Sequence, residues 1–135
     1  MSASQLRQQL SEAGRLFDLQ LRTVMEHKEL MRGGVYRLRR KCGKPGCRCT
    51  RGQLHESWVH LVREGGVQRT RVLPKGEVAR WRALADQYRR FRLARRELKR
   101  QYDKILLLVD QLEGARAVLP PARQKGDNNA PSGVV

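Results

Sequence analysis

A chain of 135 residues has room for one domain and one modest core, yet it carries 29 Lys and Arg against 13 Asp and Glu, a net charge of +16. That excess is far beyond what solubility requires and points to a polyanionic partner, nucleic acid before an anionic membrane surface. The longest apolar run, residues 105–109, is too short to span a bilayer, no secretory segment is evident, and three cysteines are an odd count for a closed disulfide set.

Residues 3–32 predict a first helix, with Ser4 as its cap. Leu6, Leu10, Ala13, Phe17, Val24 and Met31 follow alternating steps of four and three, with Gln20 and His27 in the gaps. Leu16, Leu21 and Leu30 widen that stripe, and Gly33 and Gly34 are expected to stop the helix. The period then changes. Residues 35–40, 58–63 and 67–73 predict three strands, the last two joined through Glu64-Gly65-Gly66, a hairpin signal. Trp58, His60 and Val62 fall on one face, Val59, Leu61 and Arg63 on the other.

Residues 76–118 predict one long helix. Its stripe runs Trp81, Leu84, Tyr88, Phe91, Arg95, Leu98, Tyr102, Ile105, Val109 and Leu112, a heptad pattern. Pro120 and Pro121 end it, and residues 120–135 have little to bury and are expected to be disordered. The divisions are thus 1–32, 33–75, 76–119 and 120–135. The fold class is α+β: a long antiparallel, coiled-coil-like helical hairpin with a three-stranded antiparallel sheet and a metal loop at its closed end. At 1.5 Å per residue the helices span roughly 45 Å and roughly 65 Å. The difference leaves an overhang holding Ile105, Leu106, Leu107, Leu108, Val109 and Leu112. That patch is expected to mediate homodimerisation or to bind a partner protein. The alternative is that the first helix runs further back, or that Val118 and Leu119 fold over the patch.

Between the first two strands lie Cys42, Cys47, Cys49 and His55, with the spacing C-x4-C-x-C-x5-H. Thiolate and imidazole suit the tetrahedral corners of one Zn²⁺, and four protein ligands close the site, which implies structure rather than catalysis. Buried thiols beside a hairpin histidine are the plainer alternative. A redox role is a third, although Cys47-x-Cys49 is not a C-x-x-C pair. His60 is a possible substitute for His55 as ligand.

The string C-G-K-P-G-C-R-C-T-R-G-Q-L-H-E-S-W, with the hairpin and Val72-Leu73-Pro74-Lys75 after it, resembles a family of short bacterial proteins of unknown function often found near mobile elements. Cys42, Gly43, Lys44, Cys47, Cys49, Gly52 and His55 match its motif position for position, and the resemblance covers roughly residues 33–98. Glu56-Ser57 stands where the family often has Gly-Pro. The resemblance implies a zinc site and a bacterial origin, and it carries no established activity.

Two basic groups stand out. Arg37, Arg39, Arg40, Lys41, Lys44, Arg48 and Arg51 form one, which Arg69 and Arg71 extend from the third strand. Arg89, Arg92, Arg96, Lys99 and Arg100 form the other within the long helix, where Arg80, Arg82, Arg90, Arg95 and Lys104 add further charge. Arginine suits bidentate phosphate and guanine contacts. Aromatics at 5% argue against base-stacking single-strand recognition, so double-stranded DNA is favoured over RNA. No carboxylate cluster, Walker loop or nucleotide fingerprint assembles an active site, so no enzyme is expected. The expected function is a zinc-containing DNA-binding accessory or regulatory protein of the bacterial cytoplasm and nucleoid, serving a recombinase or transposase of a mobile element and with no membrane role. The alternative is a protein–protein adaptor in a larger nucleoprotein complex, contacting nucleic acid only nonspecifically.

Overall fold

The computed structural model describes residues 1–122. In chain order it contains α1 (Ala3–Val24), β1 (Gly34–Arg40), a 3-10 turn (Arg48–Arg51), β2 (His55–Glu64), β3 (Val67–Val72), a second 3-10 turn (Lys75–Glu77) and α2 (Val78–Arg116). Most of the tail expected to be disordered, residues 123–135, lies outside the described residues.

α1 is opened by Ser2 rather than Ser4. The Gln5 amide donates to Ser2 Oγ at 3.2 Å and the Ser2 amide to Gln5 Oε1 at 2.9 Å, a reciprocal cap that satisfies two otherwise orphaned donors. The helix ends at Val24, well short of the expected residue 32. The residues after it are good helix formers, but tertiary partners hold them otherwise. Arg90 donates two hydrogen bonds to Glu26, at 2.7 and 3.2 Å; the Met31 amide donates to the Leu84 carbonyl at 3.1 Å; and His60 Nε2 lies 2.8 Å from the Arg32 carbonyl. His27, expected on the helix stripe, is exposed.

This strap changes the lengths. A helix of 22 residues covers about 33 Å, and non-helical residues 25–33 can add up to about 30 Å, which together matches the roughly 58 Å of the 39-residue α2. The overhang therefore does not exist. Leu6 and Ala13, near the start of α1, are buried together with Leu108, and Leu10, Ile105 and Leu112 pack against them. The start of α1 lies against the end of α2, while Glu26, just past the end of α1, meets Arg90 in the first half of α2.

The buried row on α2 also differs from the expected one. Ala94, Gln101 and Leu108, seven residues apart, are buried, while Arg95, Tyr102 and Val109 are exposed. Ranking by hydrophobicity favours Tyr102 and Val109. Close approach of two helices favours the small Ala94, and Gln101 shares its row. Gln101 is 4% exposed and its Oε1 has no hydrogen-bond partner among the described residues.

The sheet has the order β1-β2-β3 and is antiparallel throughout. Glu64 pairs with Val67 across the two-residue turn Gly65-Gly66, whose φ values of 57° and 80° are left-handed, as a tight hairpin turn of this type requires. Gly33 and Gly34 lead into β1 instead of capping a helix. Gly33 has φ 93°, and a Cβ there would collide with the Leu61 carbonyl oxygen. The face holding Trp58 and His60 meets α2. The Arg82 guanidinium lies 4.8 Å from the Trp58 ring centroid, and the His60 and Trp81 rings are 5.6 Å apart.

Candidate metal centre

Cys42 lies one residue beyond Lys41, which follows β1, Cys47 precedes the 3-10 turn, Cys49 lies within it, and His55 begins β2. Because β1 pairs with β2 so that Arg40 faces His55, the sheet itself brings the two ends of the loop together. Between them, the turn rotates Cys49 inward, where it is 0% exposed; Gly52, with φ 96°, closes the turn and returns the chain to His55.

The four ligand atoms all lie within 4.8 Å of one another. Cys42 Sγ is 3.6 Å from Cys49 Sγ, and Cys47 Sγ is 3.2 Å from His55 Nε2. Bonds of about 2.3 Å to sulfur and about 2.0 Å to nitrogen at tetrahedral angles place ligand atoms roughly 3.5–3.8 Å apart, so the set fits a single ion. The backbone already favours thiolate at Cys47. The Cys49 amide, then His55 and the other two thiols, lower its pKa to about 6. At Cys42 the Lys44 amide acts in the same direction, but the Cys49 and Cys47 thiols outweigh it and hold the pKa above its ordinary value. His60 takes no part: its Nε2 is engaged with the Arg32 carbonyl.

The basic residues divide by their partners. Arg37 and Arg39 reach Glu56 at 3.9 and 3.1 Å, and Arg69 reaches Glu64 at 3.7 Å. On α2, Arg89, Lys99 and Arg100 pair with Asp86, Asp103 and Glu97. Arg40, Lys41, Lys44, Arg48, Arg51, Arg71, Arg92 and Arg96 are exposed and make no ion pair among the described residues. Five of these, Arg40, Lys41, Lys44, Arg48 and Arg51, lie within the metal loop or at its edge. Of the expected interface residues, Ile105, Leu108 and Leu112 turn toward α1 of the same chain, while Leu106 and Val109 stay exposed.

Sequence reasoning missed a cleft of about 620 Å³ lined by Met31, His60, Val62, Arg69, Arg71 and Trp81. Its one visible signal was the alternation of Arg69 and Arg71, which places both on one face. Among the described residues, no helix is long and apolar enough to cross a membrane.

Residues 4–83 match the family described as "Domain of unknown function (DUF6788)", a span that runs from α1 through the metal loop and sheet and into the first turns of α2. No curated protein and no solved structure matches the chain.

Proposed function

On the premise that this chain belongs to the DUF6788 family, whose description assigns no activity, we propose that it is a zinc-folded, non-enzymatic protein that binds double-stranded DNA. One Zn²⁺ held by Cys42, Cys47, Cys49 and His55 fixes the loop that carries Lys41, Lys44, Arg48 and Arg51. The observation that carries this reading is the convergence of four ligand atoms within 4.8 Å in a loop whose exposed Lys41, Lys44, Arg48 and Arg51 make no ion pair among the described residues. A closed site of three thiolates and one imidazole contributes folding free energy rather than chemistry, and it holds the surrounding arginines rigidly enough to contact phosphates.

In this reading α1 and α2 form a long antiparallel hairpin with coiled-coil-like packing, which holds the metal-bearing sheet at one end. The role is that of an accessory or regulatory factor for a recombinase or transposase, acting at the bacterial nucleoid. A salt-titrated shift assay tests the binding: affinity for a duplex falls steeply with salt if the cations contact phosphates. A second reading, the adaptor, is favoured by the exposed Tyr102, Leu106, Leu107 and Val109 on α2, which would seat a partner helix or a second copy. Sequence-independent binding together with tight co-purification of a protein partner would select it.

A further inference from the structure

Directly paired residues of an antiparallel ladder point to the same side, so the register sorts the sheet into two faces. Both carboxylates of the strands, Glu56 and Glu64, share the face of Trp58 and His60 that meets α2, and there they engage Arg37, Arg39 and Arg69. The other face carries Tyr36, Arg40, Arg63, Gln68, Thr70 and Val72 by the same register. Among the described residues no carboxylate lies on it, and Arg40 and Arg63 make no ion pair. Val59 at its centre is buried, but Tyr36 and Val72, its partners on the flanking strands, are 55% and 58% exposed.

We infer that this carboxylate-free face, and not the face of Arg37, Arg39, Arg69 and Arg71, enters the major groove of duplex DNA. The inference rests on the duplex-binding reading above and names the surface that performs it. Three strands about 4.8 Å apart span roughly 10 Å between their outer axes, which a groove about 12 Å wide admits. Arg40 lies at the metal end of the sheet and Arg63 beside the hairpin turn, so the two bracket the face and meet phosphates at its opposite ends. Lys41 continues from Arg40 into the metal loop, and a hollow of about 520 Å³ beside them is lined by Arg40, Lys41, Cys42, His55 and Val72, with Glu56 reaching it from the edge of the other face. Tyr36 and Val72, between the two arginines, and Gln68, directly opposite Arg63, face the bases; a glutamine amide matches the donor and acceptor on the edge of adenine, and Val72 suits a thymine methyl. The face on the α2 side is unsuited, because its arginines are partly neutralised by Glu56 and Glu64 and the helix stands over Trp58 and His60.

The test uses the full zinc-loaded chain and a fluorescein-labelled mixed-sequence DNA duplex, with anisotropy read over a range of salt concentrations. All the substituted side chains are exposed, and circular dichroism checks that each variant keeps its fold. Arg40→Gln and Arg63→Gln are each expected to weaken binding about tenfold and to reduce the salt slope by about one, whereas Arg37→Gln and Arg69→Gln stay within about twofold of the unaltered protein. An RNA duplex of the same sequence, whose major groove is too deep and narrow for a sheet, is expected to bind more weakly. Equal losses from both faces, larger losses from Arg37→Gln or Arg69→Gln, or an RNA duplex bound as tightly as DNA would each overturn the inference and leave duplex binding itself standing. If the unaltered protein binds no duplex at all, the proposed function falls, and this inference with it.

Discussion

Cys47 Sγ lies 3.2 Å from His55 Nε2, although eight residues separate them and His55 already belongs to the central strand. The contact ties the loop to the sheet, so losing a ligand is felt in both. Cys47→Ser is expected to lower zinc affinity by more than about 100-fold, above the range for losing an outer-sphere partner. It should also unfold residues 35–74 while α2 keeps much of its helicity. Metal content after dialysis and amide spectra by NMR report the two effects; dispersed amide signals from metal-free β1 and β2 would count against the assignment.

Glu26 and Arg90 connect the strap to α2 across 64 residues of sequence. The Arg90 guanidinium donates to the Glu26 carboxylate and holds its pKa below the ordinary value of 4.5. A lowered folded-state pKa means that this contribution to stability is complete above the unfolded value and is lost as pH falls through the folded one. NMR titration should place Glu26 below 4.5, and Arg90→Ala should return it toward that value.

Much of this architecture was legible in the sequence because it rests on local signals. Gly65-Gly66 set the hairpin, alternation set the strands, and the close spacing of Cys42, Cys47, Cys49 and His55 marked the site whose two ends the β1–β2 pairing joins. The strap at residues 25–33 was not legible. Its string favours a helix, and only the distant Leu84 carbonyl, Arg90 and His60 draw it away. The buried row on α2 was misplaced for a related reason: hydrophobicity cannot reveal that Ala94 and Gln101 are buried while Arg95 and Tyr102 face outward. With the strap short-circuiting the assumed helix length, Ile105, Leu108 and Leu112 at the apolar end of α2 pack with Leu6, Leu10 and Ala13, while Leu106, Leu107 and Val109 stay exposed.

Among the described residues, Gln101 buries an amide oxygen without a partner. Such a group costs more than an apolar side chain of the same size. Gln101→Leu is therefore expected to raise stability by about 1–2 kcal/mol. Leu108→Ala, one heptad further along the same row, should lower it by about 2–5 kcal/mol. Thermal unfolding of the two variants gives the signs directly; a destabilised Gln101→Leu would mean that the amide has a partner in solution.

Gly33 occupies a left-handed conformation against the Leu61 backbone. Gly33→Ala is expected to cost about 1–3 kcal/mol through that strain. The effect should be seen as a lower midpoint in urea. Gly14→Ala, with open space around its position on α1, should be neutral or stabilising.

In the proposed function the metal loop serves the polyanion-binding surface. The most direct measurement is the anisotropy of a labelled DNA duplex titrated with the zinc-loaded chain, with the same chain after chelation, and after zinc is restored. Binding, its loss on chelation and its return with zinc are the expected results. Affinity unchanged by chelation would contradict that role, leaving the loop a clasp remote from the nucleic acid and the arginines of α2 as the binding surface.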